Sequence, residues 1–455
     1  MATTRADVVV IGMGPGGEEV AGRLAQAGLD VVGIEAKLVG GECPYWGCVP
    51  SKMMIRAADL LAEARRVPGM AGAVSVTPSW DPVARRIRDE ATDDWNDRVA
   101  VERFEAKGGH FRRGAGRLVG QGRVAVGDEV IEATRATVIN TGTEPAIPPV
   151  PGLAGVPYWT NREAIETKEV PESLVVMGGG AVGLELAQVF RRFGAEVSVV
   201  EALDRLLPLE EPESAELVAR VFVSEGIAVH TGVGVTAVRS DGDRIVADLA
   251  DGTATSGHRL LVATGRRADL AALGVACVGI DEHARFIPVD EHLRAAPGVW
   301  AVGDITGKGA FTHVSMYQAR IAIADILGHD GPGAEYKALP RVTFTDPEVG
   351  AVGATEAEAR AAGIRVRTGT TPLPAAARGW IHKAGNDGFI KLVEDADRGH
   401  LVGATSSGPV GGEVLGLLAL AVHAEVPTAR LRHMIYAYPT FHRAIEAALE
   451  DLGSG

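Results

Sequence analysis

Cysteine is scarce in this chain: 455 residues carry three, Cys43, Cys48 and Cys277. That count excludes a disulfide-stapled secreted scaffold. With no second close pair a four-cysteine zinc site is excluded too, and no metal is expected. Positive charge is in deficit. The formal net charge is −14, which argues against non-specific nucleic-acid binding and against anionic membrane surfaces. Long apolar runs are lacking; the longest, around residues 414–422, is too short to span a bilayer. Ahead of Val8 there is no basic segment, apolar region and cleavage site in order. The expectation is a cytoplasmic protein that binds neither nucleic acid nor membrane.

Glycine, by contrast, is plentiful: 58 residues, gathered in punctuated motifs. Strand-like Val8-Val9-Val10-Ile11 runs into Gly12-Met13-Gly14-Pro15-Gly16-Gly17, a helical run to Gln26, and a strand ending in Glu35. The pattern recurs. Leu174-Val175-Val176-Met177 leads into Gly178-Gly179-Gly180-Ala181-Val182-Gly183, a helical run to Phe193, and a strand ending in Glu201. In both copies the first Gly and the terminal Glu are 23 residues apart. Strand, Gly-x-Gly-x-x-Gly, helix and an acid some ~20 residues on make a dinucleotide-binding unit. Gly12 and Gly178 make the tight turn, Gly14 and Gly180 let the backbone approach a pyrophosphate, and Gly17 and Gly183 let helix and strand pack. The pyrophosphate sits on the helix N-terminus, and the Glu accepts from ribose hydroxyls.

Later strands end in Thr141-Gly142, in Thr264-Gly265 and in Gly303-Asp304. An Asp at the carboxyl end of a parallel strand lies where open α/β sheets bind ligands. Pro145, Pro148, Pro149 and Pro151 mark a linker near 145–152. The remainder from 336 lacks a dinucleotide motif and reads as α+β. The predicted fold class is α/β: two Rossmann-like dinucleotide-binding domains plus a C-terminal α+β domain, divided as 1–150, 151–270, 271–335 and 336–455.

Cys43-Pro44-Tyr45-Trp46-Gly47-Cys48 stands between Gly40-Gly41 and Val49-Pro50-Ser51-Lys52, just after the first unit. In a reducing compartment a close Cys pair is catalytic or metal-binding rather than structural. Pro44 fits a helix start at Cys43, with Cys48 about one turn on, and a helix N-terminus lowers a thiol pKa. Trp46 either lines a pocket or fills core. Cys277, alone in an apolar stretch, is expected to be inert core.

Together these motifs resemble the flavoprotein disulfide reductases, the family of dihydrolipoamide dehydrogenase, glutathione reductase and mercuric reductase. The matching stretches run in order through nearly the whole chain: 12–17, 41–52, Thr141-Gly142, 178–183 with Glu185, Thr264-Gly265, Gly303-Asp304 and Phe344-Thr345-Asp346-Pro347-Glu348. The resemblance implies FAD on 1–150 and 271–335, held by Gly12, Gly14, Gly17, Glu35, Gly41, Lys52, Thr141, Gly142, Asp304 and His313. It implies NAD(P)H on 151–270, held by Gly178, Gly180, Gly183, Glu201 and Gly265, and a homodimerisation domain over 336–455. Cys48 is then the flavin-facing sulfur and Cys43 the interchange thiol. Lys52 and Glu185 form an ion pair beside the flavin N5, and Asp304 bonds the ribityl chain. A helix from His313 to Gln318 points its N-terminus at the pyrimidine edge. Glu201 suits the 2′-OH of NADH and repels the 2′-phosphate of NADPH, so NADH is favoured; Arg205 and Arg267 are the basic residues to watch.

The resemblance breaks near the C-terminus. The family's acid/base His-Pro-Thr, donated across the dimer, is Tyr438-Pro439-Thr440 here, with Arg443 where a Glu is usual. Tyrosine, with an ordinary pKa near ~10, is a poor base at neutral pH but can donate a proton. Tyr436 and His442 are the other candidates. The extra C-terminal Cys pair that mercuric reduction needs is missing. The expected activity is that of an FAD-dependent pyridine nucleotide-disulfide oxidoreductase. It reduces a small-molecule disulfide, or another electron acceptor, through a Cys43–Cys48 redox-active disulfide. Cys43, Cys48, Lys52, Glu185 and Tyr438 are its catalytic residues, and a homodimer shares the active site. The alternatives are an NAD(P)H:quinone-type reductase or a pyridine nucleotide transhydrogenase using the same flavin, and a flavin-bound redox sensor.

Overall fold

The structure, a computed structural model, describes residues 2–453. The chain divides into two compact units. The first takes the chain up to Pro50, Arg85–Ala146 and Arg266–Glu335. The second takes Ser51–Ala84, Ile147–Gly265 and the chain from Tyr336 on.

In the first unit strand Ala2–Ile11 runs parallel between Glu129–Ile139 and Val31–Glu35, with Val10 opposite both Val138 and Gly33. Val299–Ala301 and His110–Arg113 extend the parallel array at its two sides. The unbroken run Val8-Val9-Val10-Ile11 follows from burial on both faces. Val8 and Val10 pack with Val20, Leu24, Ala319 and Ala322 on helices Pro15–Gln26 and Thr312–Leu327. Val9 and Ile11 face the other way, onto Leu118, Val124 and Ile131. Each buried Val, Leu or Ile among them contributes about 1.5–3 kcal/mol by leaving water.

The second unit holds a parallel sheet in the order Ala228–His230, Glu196–Val200, Ser173–Met177, Arg259–Val262. Beside it lies a three-stranded antiparallel sheet, Val235–Asp241, Arg244–Leu249 and Ala254–Gly257. The proline-rich stretch is no loose linker. Pro151 accepts the Val238 amide at 2.8 Å, and Gly152 fits there only because a Cβ would stand 1.9 Å from the Val238 carbonyl. After Tyr336 comes a five-stranded antiparallel sheet, ordered Pro340–Thr343, Glu348–Gly353, His400–Gly408, Phe389–Asp395, Val366–Pro372. Helices Gly411–His423 and Ala444–Asp451 cover it through Val414, Leu415, Leu418, Ile445 and Leu449. The apolar run around 414–422 is thus a helix whose Val414, Leu415, Leu418, Ala421 and Val422 are buried while Leu420 is exposed. Among the described residues no helix is long and apolar enough to cross a membrane.

Candidate active site

Three chain segments of the first unit meet at Asn140, which is buried at the end of strand Glu129–Ile139. Its Oδ1 accepts from the Gly17 amide at 2.6 Å, and its Nδ2 donates to the Val302 carbonyl at 2.7 Å. Ser315 lies 3.4 Å from the same Nδ2. One amide thereby ties the start of helix Pro15–Gln26 to the end of strand Val299–Ala301 and to helix Thr312–Leu327. Asn140 is a site residue beyond the expected Thr141-Gly142, and its place closing an apolar strand is the signal in the sequence that marks it.

The glycines around it leave bare backbone. At Gly12 (φ +90°) a Cβ would stand 2.4 Å from the Asn140 carbonyl, and at Gly17 2.0 Å from the Gly12 carbonyl. Gly142 (φ +65°) faces open space. A turn and helix start stripped of side chains fit the close approach of a pyrophosphate. Glu35 does more than was expected of it. Its Oε2 accepts from the Met13 amide and its Oε1 from the Lys37 amide, both at 2.8 Å, so it also pins the glycine turn. Each oxygen keeps capacity for a further donor. Asp304 accepts from the Thr143 hydroxyl at 3.2 Å, and burial raises its carboxyl above the ordinary value. Thr143 in turn accepts from the Arg266 Nε at 2.8 Å.

The loop into the cysteines lies against this turn: a Cβ on Gly41 (φ +67°) would stand 2.9 Å from the Gly14 Cα. The expected single helix is two. Cys43 sits in the four-residue helix Glu42–Tyr45, the chain breaks at Trp46 and Gly47, and helix Cys48–Arg66 begins at Cys48. Gly47 explains the break. A Cβ there would crowd the Glu42 carbonyl at 3.1 Å, so the turn favours a residue without a side chain, and Gly disfavours helix. The fold-back brings the sulfurs together. A hydrogen bond with Cys48, then burial, push the Cys43 thiol well above its usual pKa. The Thr312 hydroxyl, at the first turn of helix Thr312–Leu327, lies 3.6 Å from the Cys48 Sγ. That helix is longer than the expected 313–318, and the exposed His313 stacks on Phe311 at 5.1 Å. Trp46 is half-buried, with its ring 5.9 Å from that of Tyr45. Cys277 is exposed, not core: the turn at Gly274 swings helix Val275–Val278 so that Val275 is buried and Cys277 faces out.

In the second unit the glycine motif is built the same way. A Cβ at Gly178 (φ +115°) would meet the Ala263 carbonyl at 2.4 Å, and one at Gly183 the Gly178 carbonyl at 2.4 Å, while Gly180 and Gly265 face open space. Glu201 accepts from the Gly179 amide at 2.6 Å and from the Leu203 amide at 2.8 Å. Arg205 is turned to the Pro208 and Glu210 carbonyls, at 2.9 and 3.1 Å. Lys52, one helical turn beyond Cys48, meets Glu185 at 2.8 Å. The other Glu185 oxygen accepts from the Phe344 amide at 2.9 Å, and the Lys52 ammonium stands 4.6 Å above the Phe344 ring.

Tyr438 is 68% exposed, with the Arg443 guanidinium 5.1 Å over its ring. Tyr436 is committed to structure: it is buried, its hydroxyl donates to the Leu431 carbonyl at 3.0 Å, and burial pushes its pKa up to about 12. His442 is half-buried, its Nε2 3.4 Å from the Thr440 hydroxyl.

Comparison with known proteins agrees with this architecture. Residues 6–319 match the family described as pyridine nucleotide-disulphide oxidoreductase, and residues 339–449 its dimerisation domain. The chain is 34% identical to a dihydrolipoyl dehydrogenase of Chlorobaculum tepidum, over 98% of this chain and 97% of the relative. It is 35% identical to dihydrolipoyl dehydrogenase 3 of Pseudomonas aeruginosa, with the same coverage, and 32% identical to a mercuric reductase of Streptomyces lividans, over 100% and 97%. Among solved structures, LpdA of Mycobacterium tuberculosis matches with TM-score 0.85 at 26% identity, over 99% of each chain.

Proposed function

The chain belongs to the pyridine nucleotide-disulphide oxidoreductase family, which binds FAD and uses NAD(P)H, and from that footing we propose that it reduces a small-molecule disulfide through Cys43 and Cys48. The observation that carries this reading is the break between helices Glu42–Tyr45 and Cys48–Arg66, which folds Cys48 back toward Cys43 in the segment that lies against the glycine turn. Bound FAD supplies the passage of two electrons from NADH to the sulfur pair. The residues named above for each glycine unit would hold the two dinucleotides, the Glu201 carboxylate favouring NADH. We assign the work to a homodimer in a reducing compartment.

The protein's own chemistry then runs in two exchanges. Cys43, deprotonated, attacks one sulfur of the substrate disulfide; a Cys43–substrate disulfide forms and one substrate thiolate leaves. The Cys48 thiolate attacks the Cys43 sulfur, restoring the Cys43–Cys48 disulfide and releasing the second thiolate. Two electrons leave the dithiol and two protons complete the product thiols. The raised Cys43 pKa means that its S–H stays on until a base takes it. Lys52, charge-compensated by Glu185, offers a fixed cation to developing negative charge. Tyr438 of the partner subunit protonates the leaving thiolate.

Anaerobic titration of the holoenzyme with NADH tests this. Two electrons should produce a long-wavelength absorbance band from the Cys48 thiolate, absent in Cys48→Ser, and Cys43→Ser should abolish disulfide turnover. Because residue 438 is Tyr, direct reduction of a quinone or transfer between nicotinamides is the second reading. Quinone turnover untouched by thiol alkylation, with no band on titration, would establish it in place of the first.

A further inference from the structure

The helix that carries Cys43 cannot hold itself in place. It has four residues and no side-chain hydrogen bond at its N-cap, far below the length at which a helix persists alone. Its position must come from tertiary ties. One of these begins at an unusual stretch of backbone. Asp93, Asp94 and Trp95, none of them glycine, take φ values of +48°, +52° and +55° in succession. Such left-handed runs persist only where the surroundings enforce them. Here Thr92 is buried with its hydroxyl on the Ile87 carbonyl at 3.0 Å, and the strained turn delivers Asp97 into the interior.

Asp97 accepts from the Val39 amide at 2.7 Å and from the Arg113 guanidinium at 2.5 Å. Arg113 also reaches the Lys37 carbonyl, so cation and anion clasp the same loop. The Val39 carbonyl, on the other side of that peptide segment, accepts from the Tyr45 hydroxyl at 3.2 Å. Tyr45 is buried and ends the helix that carries Cys43. Burial, and next the Asp97 charge, push the Tyr45 pKa up to about 12, which keeps the hydroxyl a donor. The path is continuous within the first unit: strained turn, Asp97, Val39, Tyr45, Cys43.

We propose that Asp97 is a positioning residue for the sulfur pair, setting the alignment of Cys43 on Cys48 through Val39 and the Tyr45 hydroxyl. This rests on the reading of Cys43 and Cys48 as the redox pair, yet it can fail separately. Tyr45→Phe removes the last tie and nothing else. Asp97→Ala removes the anchor.

The test is the alkylation rate of Cys43 by iodoacetamide in the reduced holoenzyme, read by peptide mass spectrometry. Losing one hydrogen bond, worth ~1 kcal/mol, lets the segment that carries Cys43 leave its aligned position about five times more often, so both variants should be alkylated roughly fivefold faster. FAD content should be unchanged in Tyr45→Phe. Asp97→Asn, which keeps an acceptor for Val39, should restore most of the parent rate. A parent-like rate in folded Tyr45→Phe would overturn the proposal, and that variant decides the matter if Asp97→Ala does not fold. Disulfide turnover surviving in Cys43→Ser would instead sink the redox reading, while the alkylation rates still judge the positioning.

Discussion

Replacing Glu348 with Gln probes how the second unit manages buried negative charge. Glu348 opens strand Glu348–Gly353, and its Oε2 accepts from the Gly412 amide at 2.8 Å. Burial, then the charges of Asp59, Glu413 and Asp346, push its carboxyl from 4.5 to about 7, with the Gly412 bond opposing. The folded pKa is the higher of the two, so the native state holds the proton more tightly than the unfolded chain. Stability from this group is therefore full below pH 4.5, drains away as pH climbs to about 7, and is gone above it. At about 1.36 kcal/mol per unit the loss is at most ~3 kcal/mol by pH ~8.5, against under ~0.5 kcal/mol at pH ~4.5. Glutamine keeps an acceptor for Gly412 and has no charge to lose. Asp59, raised to about 6 by burial, titrates in both proteins, and its repulsion with Glu348 is relieved in the variant, which acts in the same direction. The Tm of Glu348→Gln, relative to the parent, should thus rise by several degrees between those two pH values. Thermal melts of both proteins at both pH values measure it. An identical Tm gap at the two pH values would refute the argument.

Lys391 is buried among Glu211, Glu213 and Glu356, at 3.0, 2.7 and 3.0 Å. Lys391→Met leaves Glu211 buried and unpaired, and should cost about 3–5 kcal/mol in denaturant unfolding. Asn140→Leu orphans the Gly17 amide and the Val302 carbonyl. It should cost about 2–4 kcal/mol and lower the flavin-to-protein ratio after gel filtration. Thr312→Val removes the hydroxyl beside Cys48, so the long-wavelength band of the NADH-reduced holoenzyme should weaken, with Thr312→Ser restoring it.

Much of this is legible in the sequence. Parallel, doubly buried strands show as continuous apolar runs such as Val8-Val9-Val10-Ile11. Gly12, Gly17, Gly178 and Gly183 mark themselves because only glycine fits where a Cβ would strike backbone. Lys52 and Glu185 could be paired in advance only through the resemblance, since 133 residues separate them. Other features escaped. The helix start that Pro44 suggests is there, but the break at Trp46-Gly47, where Gly47 packs closely on the Glu42 carbonyl, ends that helix before Cys48. Glu35 and Glu201, read as ribose acceptors, also clamp their own glycine turns.

By itself, the sequence determined the elements, the two glycine units and the reactive residue types, because periodicity, glycine spacing and cysteine spacing are local quantities. The tertiary structure alone decided which remote side chains complete the site. Asn140 reaches Gly17 across 123 positions and Asp97 reaches Val39 across 58. Such partners are selected by burial, which leaves each polar group a single geometry in which it is satisfied, and no local pattern in the chain encodes that choice.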